Sequence, residues 1–551
     1  MTKTNRGRRR QLIVWLLVAG VVLIAVGAVL AFTLLRGGEG QPGREGIAEV
    51  RPPPSMAELA DEFPELASIL TDPELGTVYK EFLSAYEEGG LAAAESLAQR
   101  RGLLTPDGER LRITLVLDTE NPEPLIAQLQ PLGVEVVSAF RDRVNIAVSL
   151  DLLDAALESE ESREILQRLT ELEHVIAVRL PEQRESHQQG QAGEGVRILG
   201  ASAWHEAGYT GEGIRIGVLD LGFAGYQRLL GADLPSTVTL ETFGWYDDEE
   251  VHGAACAEIV HEVAPGADLA FAWYDGSDAA MGEAVAWLVE QDVDIISHSA
   301  GSVLSPRDGT GWDAGLVNET VARGVLWVNS AGNEADVHFR GEFNDADGDN
   351  YHDFQPGIPS LPIAVQDYVR IYLLWEENWA SPMQDFELHV LDRDGNVIAA
   401  SEDAQDGGSG QQPAEWVVLE TDEPVIYAAM YAYDGDRAVT FDIFALGPGA
   451  EVADAVPEYS VNSPGDALGS LTVGAVGWND DLLAIYSSQG PTTDQRLKPE
   501  ISGPTGVTGV TYGRHGFDGT SASTPHVAGA AALVWQAYPE MTREEVIDYL
   551  L

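Results

Sequence analysis

Gly519–Gly529 reads GTSASTPHVAG, and its last three residues open the small-residue run VAGAAALV, Val527–Val534. A Gly-Thr-Ser turn feeding such a run predicts a helix that begins next to Ser521 and packs closely against a core. A serine in a first helical turn has backbone N–H groups without intrahelical partners and the positive end of the helix dipole around it, and both favour negative charge on a nearby oxygen. Pro525 fits a first turn, where its missing N–H has no partner to lose. The stretch therefore reads as the mount of a nucleophile.

A serine hydroxyl becomes reactive when a base takes its proton and a third group orients that base. Two upstream stretches offer them. IRIGVLDLG, Ile214–Gly222, is an apolar strand ending in an aspartate and a glycine turn, which puts Asp220 at the C-terminal edge of a sheet. VHGAACAEIV, Val251–Val260, sets His252 at a glycine turn leading into a helix. The chain order Asp, His, Ser is one of several in which this triad occurs.

With these stretches the sequence resembles the subtilases, the subtilisin-like serine peptidases. WVNSAGN, Trp327–Asn333, resembles the family's strand end with the oxyanion-hole asparagine, which implies that Asn333 and the Ser521 backbone N–H are the oxyanion donors. IISHSAG, Ile295–Gly301, resembles the strand that pairs with substrate backbone, implying a substrate-binding role for Ser299, Ala300 and Gly301. SSQGP (Ser487–Pro491) and LKPE (Leu497–Glu500) resemble the segment leading to the serine. The resemblance covers residues 195–334 and 460–551 and implies a doubly wound α/β catalytic domain with a parallel sheet, for which Asp278–Val289 and Asp313–Ala322 read as flanking helices. It implies hydrolysis of protein or peptide substrates with no cofactor required for catalysis. Two departures stand out: Leu221 follows Asp220 where Thr or Ser is usual, so one hydroxyl contact to the carboxylate is missing, and Gly253-Ala254-Ala255 follows His252 where Gly-Thr-His is common. Cys256 is the only cysteine, which excludes a disulfide within the chain. Proteinase K-like subtilases carry a cysteine at the same spacing beneath the histidine, and a buried core thiol is the expectation.

The 551 residues exceed one ordinary domain, and 44% hydrophobic with 22% charged residues is a globular composition. A formal charge of -57 excludes a nucleic-acid partner as the natural reading and points to a solvated acidic surface. HEVAP from His261 begins like a zinc-peptidase helix, but Pro265 stands where the second histidine belongs.

Residues 1–36 read as a basic cytoplasmic tail and a transmembrane helix: five basic residues lie within Met1–Arg10, and Leu12–Leu35 is uncharged and long enough to span a bilayer. This predicts a single-pass cell-membrane protein with its catalytic domain extracytoplasmic. The competing reading is a cleaved signal peptide processed at Val29 and Ala31. Residues 37–55 form a Gly/Pro-rich linker, and 56–109 a helical segment of unassigned role.

Over 110–185 the pattern is strand, helix, strand, strand, helix, strand: RITLVL from Arg112, PLIAQL from Pro124, VEVV from Val134, VNIAV from Val144, a helix over about 152–172, and VIAVRL from Val175. That order is ferredoxin-like. Placed ahead of a subtilase domain it is similar to the family's prodomain, which assists folding and then acts as an intramolecular inhibitor. PEQRESHQQG, Pro181–Gly190, is polar and well placed to be cut, and self-cleavage is expected between 181 and 200, releasing the protease from its anchor.

Asn333 and Ser521 are far enough apart to hold an insertion at 335–459. Six short segments, from Val369, Phe386, Val397, Trp416, Val425 and Val439, predict a β-sandwich of six or more strands, with a hairpin turn at Asp394-Gly395-Asn396. Its role is substrate or partner binding, or steric or stabilising. NDADGDNYHD, Asn344–Asp353, presents Asp345, Asp347, Asp349 and Asp353 to a calcium ion, although it lacks the EF-hand glycine and glutamate and such loops are also simply solvated. The reading is a membrane-anchored, self-processing serine endopeptidase zymogen. The alternative is a catalytically degenerate binding protein that works through the β-sandwich.

Overall fold

The computed structural model describes residues 72–73, 75–105, 108–129, 134–150, 169–170, 172–180, 185–186, 194–245, 249–434 and 438–551. The apolar run Leu12–Leu35, the linker and most of the expected 152–172 helix lie outside the described residues. Among the described residues, no helix is long and apolar enough to cross a membrane.

The N-terminal unit opens with helices α1 (Thr77–Gly89) and α2 (Leu91–Arg100), followed by β1 (Arg110–Leu117), α3 (Glu123–Leu129), β2 (Glu135–Phe140), β3 (Arg143–Ser149) and β4 (Val175–Arg179). Every second residue of β1 is buried, Leu111, Ile113, Leu115 and Leu117, so one face of the sheet meets α1, α2 and α3 in a common core. The four strands are antiparallel, in the order β2-β3-β1-β4. Their other face docks on the larger C-terminal part of the chain: Asn145 Nδ2 donates to Ser277 Oγ at 2.6 Å, Arg141 pairs with Glu319, and Phe140 meets Trp312 edge-on. A two-residue strand, β5 (Glu185–Ser186), comes next.

The chain then forms β6 (Arg215–Asp220), β7 (Thr239–Phe243), α4 (His252–Val263), β8 (Asp268–Tyr274), α5 (Asp278–Glu290), β9 (Ile295–His298), β10 (Ala300–Gly301), α6 (Trp312–Val321) and β11 (Leu326–Ser330). Nine strands come after these: β12 (His338–Glu342), β13 (Leu361–Ala364), β14 (Tyr368–Trp375), β15 (Asp385–Leu391), β16 (Val397–Ser401), β17 (Ala414–Glu420), β18 (Val425–Asp434), β19 (Thr440–Leu446) and β20 (Glu451–Val452). They make two antiparallel sheets, β12-β19-β14-β17 and β16-β15-β18-β13-β20, which close a shared core around Phe386, Leu388, Ile371 and Phe441. The three strands beyond the expected six are β12, β13 and β20, all short; β13 is an apolar run, LPIA, interrupted by Pro362. A buried network fastens this sandwich to the rest: Asp442 of β19 accepts from Arg307 at 2.5 Å, His338 at 2.8 Å and Arg340 at 2.7 Å.

After the sandwich come β21 (Ser470–Gly477), β22 (Ile501–Thr505), the hairpin β23 (Val507–Gly509) and β24 (Gly513–Phe517), and helix α7 (Thr520–Ala537). β21 and β22 return to the large sheet, whose order is β22-β21-β11-β9-β6-β8-β7, parallel throughout. One face packs on α4 and α7, the other on α5 and α6. Parallel strands buried on both faces need continuous apolar runs, and GVL before Asp220 and LWV in β11 supply them. The strands share a direction, so their C-terminal ends gather the adjoining loops at one edge.

Candidate active site

Asp220 is the last residue of β6 and His252 the first of α4, and both are fully buried. His252 Nδ1 lies 2.7 Å from Asp220 Oδ1. Gly253 permits this approach, because a Cβ there would sit 2.7 Å from Asp220 Cβ and from Gly222 O. Asp220 Oδ1 also accepts the Leu221 N–H at 2.8 Å, while Oδ2 has no hydrogen-bond partner among the described residues. The apolar Leu221 thus leaves one carboxylate oxygen bare, as its sequence implies. Burial opposes the charged imidazole, but the Asp220 carboxylate overrides it and holds His252 well above the ordinary histidine range. Cys256, 3.9 Å from Nδ1, is itself pushed up by burial, so it is a neutral thiol near pH 7 and Asp220 is the source of the effect. His252 Nε2 is buried and has no hydrogen-bond partner among the described residues.

Ser521 lies at the second position of α7, after Gly519, whose φ of 103° suits glycine alone. The helix begins at Thr520, so Pro525 belongs to its second turn and not the first as expected. Its absent N–H is the one that the Ser521 carbonyl would have accepted four residues earlier. That carbonyl is taken instead by Ser299 Oγ at 3.1 Å and approached by Cys256 Sγ at 3.7 Å. Ser521 Oγ in turn donates to Ser299 O at 2.9 Å, and not to His252. The helix is therefore tied twice to the residue that leads into β10. Sequence reasoning missed this link, although a proline four residues after the serine was its visible signal.

Asn333 follows β11 and is half-buried. Its Oδ1 accepts the Thr520 N–H at 2.9 Å and the Thr520 hydroxyl at 3.0 Å, which fixes the amide and leaves Nδ2 as the free donor. Thr520, unnoticed in the sequence, also accepts the Gly332 N–H at 3.2 Å. Ala300 and Gly301 form β10, and β5 lies antiparallel on them, with Ala300 opposite Ser186 and Gly301 opposite Glu185. Nothing in the polar stretch 181–190 signals a strand.

In the acidic loop, Asp345, Asp347 and Asp349 each offer an oxygen within 4.8 Å of the others. Asp353 is not in that set; its carboxylate accepts the Ala346 N–H at 2.8 Å and the Gly357 N–H at 3.0 Å.

A sequence profile of the Subtilase family matches residues 211–354 and 405–551, more than half of the chain. The chain belongs to the subtilase family. Subtilisin amylosacchariticus of Bacillus subtilis subsp. amylosacchariticus is 34% identical over 115 residues, 21% of this chain and 29% of that protein. Bacillopeptidase F of Bacillus subtilis (strain 168) is 40% identical over 96 residues, 16% of this chain and 7% of that protein. The matched stretches thus span less than a third of these relatives' own length. Among solved structures, the Clostridium perfringens CspB protease aligns with a TM-score of 0.45 and 15% identity, covering 63% of this chain and 87% of that one.

Proposed function

We propose that this chain is a serine endopeptidase that acts through Asp220, His252 and Ser521 and is made as a self-processing zymogen. One observation carries the reading: a buried Asp220–His252 pair, 2.7 Å apart, whose Nε2 has no hydrogen-bond partner among the described residues. Nε2 takes the Ser521 proton as Oγ attacks a peptide carbonyl, and Asp220 stabilises the imidazolium. Asn333 Nδ2 and the Ser521 N–H, in the first turn of α7, donate to the oxyanion. His252 then returns the proton to the leaving amine, and water releases the acyl group by the same steps in reverse.

The zymogen part is supported by β5 on β10. The strand order β2-β3-β1-β4 agrees with a ferredoxin-like prodomain over 110–185, followed directly by a segment paired with Ala300–Gly301, where a substrate strand binds in this reading. A strand continuing beyond Ser186 brings a backbone N–H toward Ser299 O, in competition with the Ser521 hydroxyl. The inhibitor partner is thus the chain's own N-terminal unit, and the substrates are proteins or peptides. Calcium held by Asp345, Asp347 and Asp349 serves structure alone in this reading. Residues 1–36 anchor the zymogen in the cell membrane, and an N-terminus near Phe32 in the exported protein would count against that anchor.

Intact mass after folding tests the main proposal on wild type and Ser521→Ala. Wild type alone should split between 181 and 200. Two folded chains that both stay whole would end the hydrolytic reading.

A further inference from the structure

A second cluster of chemistry-bearing side chains lies far from Ser521, on the outer face of the sandwich. Glu387 and His389 are two residues apart on β15 and so share a face. β15 pairs with β16 with Leu388 opposite Ser401 and His389 opposite Ala400, a register that brings Glu402 across from Glu387. Two carboxylates directly opposite each other repel, and such a pair is destabilising unless a cation lies between them. His389 points into that gap. It is 2% exposed, and its Nε2 stands 3.2 Å from Glu387 Oε2 and 3.5 Å from Glu402 Oε1, within ion-pair reach of both, yet makes no well-aligned hydrogen bond among the described residues.

We propose that Glu387, His389 and Glu402 form a binding site for a divalent transition-metal ion of the zinc type. One imidazole nitrogen and two carboxylate oxygens are the ligand set of several zinc sites, and bonds of about 2.0–2.1 Å at tetrahedral angles set neighbouring ligands about 3.3–3.4 Å apart. The separations of 3.2 and 3.5 Å match that edge, and all three ligand atoms lie within 4.8 Å of one another. The surrounding shell fits as well. Tyr351 Oη is 2.9 Å from His389 Nδ1, and with Nδ1 as the donor the Nε2 lone pair is directed at the carboxylates. Tyr431 stacks on the imidazole, with ring centroids 5.9 Å apart and planes inclined by 16°. Both glutamates retain slight exposure, which gives an ion a path in and a place for a water ligand. The site falls between the two stretches matched by the family profile, so it belongs to what this chain has added. Glu402 N also donates to Thr77 Oγ1 at 3.3 Å, and the Thr77 N–H donates to Asp403 at 2.5 Å. The ion thereby steadies the loop on which α1 of the N-terminal unit is seated.

The test uses the full-length chain, dialysed against zinc with excess calcium to occupy oxygen-only sites, then gel-filtered for metal analysis. About one zinc per chain is expected at this site, and Glu387→Gln or Glu402→Gln, which preserve side-chain volume, should remove it. Tyr351→Phe should weaken zinc by about 10–100-fold, as loss of an orienting partner does elsewhere. Cobalt in place of zinc gives a second measurement that needs no variant. An oxygen and nitrogen site shows visible d–d bands without thiolate charge transfer, whereas the Asp220–His252–Cys256 cluster would add the thiolate band. Wild type that retains no metal, a folded Glu402→Gln chain that retains as much as wild type, or a cobalt spectrum with only the thiolate signature overturns the proposal. The cluster is then an imidazolium held between two carboxylates.

Discussion

Asn333 divides two jobs between two atoms, so two substitutions separate them. Oδ1 accepts both Thr520 donors, and in the proposed mechanism Nδ2 serves the oxyanion. Asn333→Ala deletes both functions, whereas Asn333→Asp keeps the acceptor and replaces the donor by a carboxylate oxygen. Thr520 is fully buried, so depriving its donors of a partner costs about 1–3 kcal/mol of stability. Loss of one oxyanion-hole donor lowers kcat by about 10²–10³ in subtilisin, and a comparable loss is expected here. Asn333→Asp should therefore unfold within about 1 kcal/mol of the parent while losing at least that much rate, since a negative group now faces the developing charge. The rate is read as the first-order splitting of the chain between 181 and 200, a single turnover within one chain. Stability is read by urea unfolding with Ser521→Ala added to keep the chain whole. Splitting of Asn333→Asp within about tenfold of wild type would refute the assignment of Nδ2 as oxyanion donor.

Three further outcomes rest on the charges. Asp442 is buried, and although burial opposes its charge, Arg307, His338 and Arg340 hold its carboxyl far below the usual range; its stabilisation is present above about pH 4 and lost as pH falls toward the depressed value. Asp442→Asn leaves Arg307 and Arg340 without their anion and should cost about 3–5 kcal/mol in urea unfolding, and a cost below about 1 kcal/mol contradicts the clasp. His252 must lose a proton before it acts as a base, so self-cleavage should rise with pH and reach half its maximum above about 6.5, the ordinary histidine value; a midpoint clearly below that argues against the Asp220 effect. Asp349 is raised by burial and by its acidic neighbours, so the calcium-free chain loses stability as pH rises through that value. Added calcium should then raise the melting temperature more at pH 7 than at pH 5, and equal shifts, or none, remove calcium from this loop.

The catalytic scaffold was legible wherever local chemistry determines it. Asp220 and His252 stand where an apolar run meets a glycine, so strand end and helix start follow from composition. The sandwich was legible in its long strands and not in β12, β13 and β20: β12 and β20 are short edge strands, and the apolar LPIA of β13 carries Pro362, which argues against a strand in the middle of a sheet. β5 is beyond local reasoning altogether, because Glu185–Ser186 becomes a strand only through hydrogen bonds to β10, more than a hundred residues on. The same holds for Glu387, His389 and Glu402. Their spacing suggests nothing until the β15–β16 register sets the two glutamates against each other. The alternate acidic pattern offered Asp353 along with Asp345, Asp347 and Asp349, and spacing alone could not show that only the last three bring their oxygens within 4.8 Å of one another.

The position of Pro525 explains why the serine helix and the substrate strand form one unit. A helix that carried an N–H at 525 would satisfy the Ser521 carbonyl internally, and α7 would lose that anchor to its neighbour. With proline there, a buried carbonyl must find a donor elsewhere, at a cost of about 1–3 kcal/mol if it finds none. Ser299 Oγ is that donor, and the same residue's carbonyl receives the Ser521 hydroxyl. Backbone satisfaction and positioning of the nucleophile therefore depend on a single residue, one place before the strand on which β5 lies. In the proposed function, a substrate strand extended past β5 competes for the Ser299 carbonyl. In the proposed mechanism, filling the substrate strand frees the Ser521 hydroxyl to turn toward His252 Nε2, so occupation of the site and arming of the nucleophile become the same event.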